Sequence, residues 1–130
     1  MLDHFDLILD GVALFSRIVP GVKNYIIGIE KNKPECIKEM ERIFGDNASV
    51  CVKALPLLYP QGAEKVLIRN TTGLTVPEGK LPKDVGVIVI NVTTLATLAN
   101  YEKTGMPLVE RCVTVDGSAI KEPKNVIVPI

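Results

Sequence analysis

The stretch Val85-Gly86-Val87-Ile88-Val89-Ile90-Asn91-Val92-Thr93-Thr94 decides the architecture of this chain. Its first six residues are apolar at odd and even positions alike, the pattern of a strand covered on both faces at the centre of a parallel sheet. Thr93 or Thr94 then suits the cap of a helix whose stripe is Leu95, Leu98 and Ala99, with Gly105 and Pro107 beyond its end. Two similar strand-then-helix units precede it. Asn24 to Glu30 reads as a strand, followed by a helix starting near Asn32, with Pro34 in its first turn, Ile37, Met40 and Phe44 as its stripe and Gly45 at its end. Ser49 to Leu55 reads as the next strand. Tyr59-Pro60-Gln61-Gly62 breaks the chain, and a short helix spans 62–70 with Val66, Leu67 and Ile68 apolar.

Residues 3–18 predict an amphipathic helix, because Phe5, Ile8, Leu9, Val12 and Phe15 recur at spacings of three and four. Asp3 and Asp6 suit its start and Arg17 its end. Residues 74–84 hold Pro77, Gly79 and Pro82 and predict a loop. After residue 107 the character changes: Leu108–Val115 and Asn125–Ile130 read as two strands around a turn at Asp116-Gly117-Ser118. The expected fold is a single α/β domain over 1–130, with a mainly parallel sheet between two layers of helices and a C-terminal β-hairpin.

The 130 residues carry 15 Lys plus Arg and 15 Asp plus Glu, a formal charge of zero. That balance argues against a generic nucleic-acid or membrane-surface binder, which needs a basic excess. No apolar run reaches a membrane-spanning length, and the start, Met-Leu-Asp-His, has neither the basic nor the apolar region of a secretory signal. Cys36, Cys51 and Cys112 are widely spaced, so no metal or iron–sulfur site is expected within the chain. They are expected to be reduced thiols of a cytosolic protein, core or half-buried, with Cys51 and Cys112 packed in apolar strands. His4 is the only histidine and is expected on the surface of the first helical turn.

Two places suit a ligand. The junction Tyr59-Pro60-Gln61-Gly62-Ala63-Glu64-Lys65 lies between a strand and a helix start, where backbone N–H groups bind anions. Gly62 lets a flat ligand approach the backbone closely. The plainer reading is a turn with a capping glutamate and a surface lysine. Asn91-Val92-Thr93-Thr94 follows the most apolar strand, and in open α/β sheets ligands bind beyond the carboxyl ends of strands. Asn91 offers an amide and Thr94 a hydroxyl; the plainer reading is a helix cap. Both places are expected to line one crevice. The loop residues Glu78, Lys80, Lys83 and Asp84 read as a solvated face, with a cover over the crevice or a partner contact as the other reading. No catalytic acid or base is assigned.

Four stretches in order resemble the RnfC family, the NADH-side subunit of the Rnf ferredoxin:NAD oxidoreductase complex. They are Ile27-Gly28-Ile29-Glu30-Lys31-Asn32-Lys33-Pro34-Glu35, Tyr59-Pro60-Gln61-Gly62-Ala63-Glu64-Lys65-Val66-Leu67-Ile68, Leu81-Pro82-Lys83-Asp84-Val85-Gly86-Val87 running on to Asn91-Val92, and Gly105-Met106-Pro107-Leu108-Val109-Glu110-Arg111-Cys112-Val113-Thr114-Val115. The RnfC-like electron-transfer protein associated with proline reductase has a similar core, and these residues do not separate the two. The family is related to the flavin-binding subunit of respiratory complex I, which implies a Rossmann-like domain that binds FMN and NADH. By that resemblance Tyr59, Gly62 and Glu64 match a tyrosine–glycine–glutamate segment beside flavin and nicotinamide, and Asn91 and Thr94 match an asparagine–threonine segment at the flavin. Two positions depart from the pattern: Ala63 replaces a second glutamate and Ile90 an asparagine.

The resemblance implies an electron-transfer subunit working between NADH, FMN and iron–sulfur clusters, with other subunits of an electron-transfer complex as partners. It implies a place in the cytoplasm or on the inner face of the cell membrane through those partners, without direct membrane insertion. The chain reads as a central fragment, with a glycine-rich flavin loop expected upstream and β-grasp and iron–sulfur domains downstream. It would hold about half of the flavin and NADH site. The alternative is a cofactor-free scaffold or subunit-docking domain, using the Pro77–Pro82 loop and the tail hairpin; Ala63 and Ile90 favour it. A small-ligand or nucleotide-binding module is a third reading.

Overall fold

The computed structural model describes residues 5–130. Its elements run α1 (Phe5–Ile18), β1 (Tyr25–Glu30), α2 (Pro34–Phe44), β2 (Val50–Leu55), α3 (Glu64–Thr72), a 3-10 turn (Pro82–Val85), α4 (Val92–Thr104), β3 (Glu110–Val115) and β4 (Lys124–Pro129). The expectations for Asp3 and His4 fall outside the described residues.

β1 and β2 pair in parallel, with Ile27 opposite Val52 and Ile29 opposite Ala54. Side chains alternate across a strand. Ile27, Ile29, Val50 and Val52 therefore face one layer, where they meet Ile8 of α1, Cys36, Met40 and Phe44 of α2, and Leu95 of α4. Met40 and Phe44 lie four residues apart on one helical face and are fully buried there. The opposite face carries Gly28 and Leu55, and α3 packs on it through Leu67 and Thr71. Helices thus cover both faces, and the α/β class expected from strand–helix alternation is the one observed.

α1 and α4 lie side by side, with the Lys103 ammonium 2.5 Å from the Asp10 carboxylate and the Arg17 guanidinium 2.9 Å from Glu102. All four of those side chains are largely exposed, so the apolar seam beneath them, and not the ion pairs, carries most of the contact energy.

The stretch expected at the centre of the sheet departs from that expectation. Among the described residues, the parallel sheet has two strands, and no strand pairs with Val87–Ile90. Pro82 opens a 3-10 turn that consumes Val85, and Gly86 reverses the chain at φ 73°. The remaining four residues are extended and alternate between half-buried and exposed; Ile88 is 57% exposed. An apolar pattern on both faces specifies burial but supplies no hydrogen-bonding partner, and strand structure needs one.

Caps differ in detail as well. Asn32 caps nothing: α2 starts one residue later, behind Lys33, with Pro34 in its first turn. α4 is capped by Asn91 and not by Thr93 or Thr94. Of the cysteines, Cys36 is buried, whereas Cys51 and Cys112 are exposed. Cys51 alternates onto the sheet face that α3 covers only towards its Gly28–Leu55 end.

The C-terminal hairpin forms as expected, with Cys112 opposite Ile127 and Val113 opposite Val126. Nearly all of its residues are exposed, including Ile127 at 68%.

Candidate functional site

The chain leaves the carboxyl end of β2 at Leu55, whose carbonyl accepts from the Lys31 N–H just past the end of β1. Pro56 cannot extend the ladder. The segment that follows folds back on itself: the Gln61 N–H donates to the Leu58 carbonyl and the Ala63 N–H to the Pro60 carbonyl, across a cis Tyr59–Pro60 bond. α3 then begins at Glu64. The 57–63 segment and Glu30 of β1 line a cleft of about 500 Å³. The cleft therefore opens at the carboxyl ends of both parallel strands, where ligands of open α/β sheets bind.

The side chains there divide into two kinds. Leu57, Leu58 and Tyr59 project into solvent, and the Tyr59 ring is wholly uncovered. Gln61 is buried at 4% exposure. Its Oε1 accepts from Asn70 Nδ2 at 2.9 Å, and its Nε2 is buried without a partner. The Glu30 carboxylate is engaged by Lys33 Nζ at 3.0 Å. Nothing lies within 4 Å of the place where a β-carbon on Gly62 would sit, so the backbone there is open to a flat group. Ala63 occupies the cap position of α3 in an extended conformation and offers no side-chain acceptor. The first N–H groups of α3 are thereby left without a side-chain cap, which is the arrangement that attracts anions.

Lys65 does not face this space freely. Its Nζ donates to the Pro77 carbonyl at 3.0 Å, while Arg69 Nη1 reaches Thr75 Oγ1 at 3.3 Å and the Gly73 carbonyl. These two bases fasten the 73–77 loop along α3, and Val76 is buried beneath it. Glu78, Lys80, Lys83 and Asp84 remain exposed, and Asp84 accepts from the Leu81 N–H at 2.8 Å.

Of the residues expected to form one crevice, Tyr59 and Gly62 line the cleft and Glu64 opens the adjoining helix. Asn91 and Thr94 sit together at the start of α4, outside the cleft lining. Asn91 Oδ1 accepts from the Thr93 N–H at 2.9 Å, so half of its amide is committed to capping α4, a role worth about 1 kcal/mol. Thr94 is exposed in the first turn. A second depression, about 400 Å³, lies between α1 and the starts of β1 and β2, and none of the expected site residues lines it. Glu30, Leu57 and Leu58 line the cleft without having been singled out by sequence reasoning, which quoted Gln61 within the junction but gave it no role. A buried amide inside a Pro-Gly turn leaves no periodic trace.

An α/β domain with an anion-receptive helix start and an uncovered aromatic ring at the strand ends suits a flavin or dinucleotide fold, and the family match agrees. Residues 1–100 match the Nuo51 FMN-binding domain, and the chain belongs to that family. The chain is 45% identical over its full length to the C component of the proton-translocating ferredoxin:NAD(+) oxidoreductase complex of Clostridium ljungdahlii, of which it covers 28%. It is 40% identical, again over its full length, to the C component of the Na(+)-translocating ferredoxin:NAD(+) oxidoreductase complex of Acetobacterium woodii, covering 29% of that protein. Over 92% of the chain it is 39% identical to the C component of the ion-translocating oxidoreductase complex of Vibrio cholerae, covering 15% of it. The chain thus spans less than a third of the length of these relatives, and the RnfC resemblance of the four stretches is borne out.

Proposed function

We propose that this chain supplies part of the FMN and NADH site of an electron-transfer subunit. The observation that carries the reading is that the uncovered Tyr59 ring and Gly62 line one cleft at the carboxyl ends of β1 and β2, in the turn that leads into the uncapped start of α3. The donor set fits a flavin nucleotide: an aromatic face for a flat ring, an open backbone at Gly62, and helix N–H groups for negative charge. When bound, FMN supplies two-electron chemistry towards NADH and one-electron chemistry towards iron–sulfur clusters held elsewhere in the subunit. The protein's share is to bind and orient. Tyr59 and Gly62 offer surface to the ring system, Glu64 stands at the nicotinamide or flavin edge, and Asn91 Nδ2 and the Thr94 hydroxyl add polar contacts from the start of α4.

The exposed hairpin supports a companion role in docking other subunits of the same complex, which would hold the protein in the cytoplasm or at the inner membrane face. Among the described residues no helix is long and apolar enough to cross a membrane.

Flavin titration of the chain extended upstream through a glycine-rich loop tests the reading. Quenching of flavin emission is expected, with affinity lowered about tenfold, or 1.4 kcal/mol, by Tyr59→Ala or Glu64→Gln. The 130 residues alone are expected to bind weakly or not at all. Unquenched flavin with the extended chain would leave the docking role as the remaining function.

A further inference from the structure

Gln61 is the one buried polar side chain of the described core, and it belongs to the turn that forms the cleft. A buried amide needs partners, since a polar group left unpaired away from water costs about 1–3 kcal/mol. Here one half is satisfied, by Asn70 Nδ2 at 2.9 Å, and the other is not. Asn70 lies on α3, nine residues further along the chain. The bond therefore closes a ring from the turn, through the first two turns of α3, back to the turn. Its other closures are the backbone bonds from Gln61 to Leu58 and from Ala63 to Pro60.

We propose that Gln61 is the positioning residue of the cleft: its buried amide, held by Asn70, fixes the 59–63 turn against α3 so that the Tyr59 ring, the Gly62 backbone and the uncapped start of α3 present themselves to one ligand. Apolar packing cannot do this work, because Leu57, Leu58 and Tyr59 all point outward and leave the turn without an anchor of its own. The spare Nε2 gives the amide a second way to bond, by turning over and donating to an acceptor at position 70. The positioning of the turn stands by itself, while its benefit to a flavin rests on the function proposed above.

Amide hydrogen exchange of the 130-residue chain tests the positioning without any ligand. Asn70→Leu is expected to speed exchange at Gln61 and Ala63 about tenfold, well beyond any rise at β1 and β2, and to lower the melting temperature modestly because the buried amide is left unpaired. Asn70→Asp should restore protection, because the aspartate accepts from the turned amide. Gln61→Met, which keeps the volume and removes the bond, should match Asn70→Leu and stands in for it if that variant does not fold. Unchanged exchange in the turn, or a rise spread evenly over the whole chain, would overturn the proposal. Flavin titration of the upstream-extended chain carrying Asn70→Leu and Asn70→Asp forms a separate arm. Affinity should fall with the first and recover with the second. If the unsubstituted extended chain binds no flavin, the function proposed above fails while the exchange result still decides the role of Gln61.

Discussion

A β-carbon placed on Gly11 of α1 would stand 2.7 Å from Leu95 Cγ and 2.8 Å from the Leu95 carbonyl oxygen of α4. The two helices approach until one backbone nearly touches the other, and the absence of a side chain at Gly11 is what permits it. Replacing a helical glycine with alanine normally stabilises by about 0.8–1.0 kcal/mol. Here the backbone oxygen cannot swing aside, and forcing two packed elements apart costs about 1–3 kcal/mol. Gly11→Ala is therefore expected to lower stability by about 1 kcal/mol in urea denaturation, the reverse of the helix-propensity effect. A stabilised variant would show that the α1–α4 seam is loose.

Gly28 makes the opposite case. Its β-carbon would meet Leu55 Cδ1 at 2.9 Å and Leu67 Cδ1 at 3.2 Å, which are the movable ends of side chains. Gly28→Ala is expected to change stability by less than about 1 kcal/mol, since the leucines can rotate. Gly28→Phe, which no rotation accommodates, should detach α3 and with it the 57–63 turn. Circular dichroism and thermal unfolding of the pair read the contrast.

Asn91 serves a helix through one end of its amide, and the proposed flavin contact uses the other. Alanine removes both, so Asn91→Ala should cost about 1 kcal/mol of stability whatever the ligand does. Asn91→Asp keeps the acceptor for the Thr93 N–H and loses only the donor. Stability equal to the parent with weaker flavin binding in the extended chain is the expected result. Equal stability with equal binding would remove Asn91 from the site.

The Glu39 carboxyl on α2 is held below the usual glutamate value by its hydrogen bonds from Arg42, helped by the positive charges of Arg42 and Lys38 and opposed by desolvation. Arg42 Nε lies 3.0 Å from Oε2 and 3.1 Å from Oε1. A lowered folded value means that the pair contributes above the ordinary value of 4.5 and is lost as pH falls through the lowered one. The carboxyl is expected to titrate below 4.5 by nuclear magnetic resonance and to return towards it in Arg42→Gln. High salt should move it the same way, because the pair is exposed.

Much of this architecture was legible from short-range physics. The stripe of Ile37, Met40 and Phe44 foretold a helix with one buried face, and Met40 and Phe44 are fully buried on it. The alternation of strands and helices foretold the parallel pair. Val85–Ile90 misled because hydropathy describes what a segment avoids, whereas a ladder depends on a neighbour that composition does not name. The Asn91 cap was hidden by two threonines that are equally good candidates by type; which residue caps depends on where the helical dihedrals begin. At the site, Tyr59 and Gly62 stood out by residue type and turn chemistry. Gln61 did not, since its partner Asn70 lies nine residues further along the chain, on α3.

The hairpin of β3 and β4 has a practical consequence. Val113 and Val128 crop out on one side of the ribbon and Ile127 on the other, and a two-stranded ribbon cannot shield both sides with its own atoms. Solubility of the purified chain should therefore be governed by this appendage. Sulfate, which strengthens apolar association, should precipitate the protein earlier than chloride at equal ionic strength, and the pair Val113→Lys and Ile127→Lys should raise the concentration it tolerates.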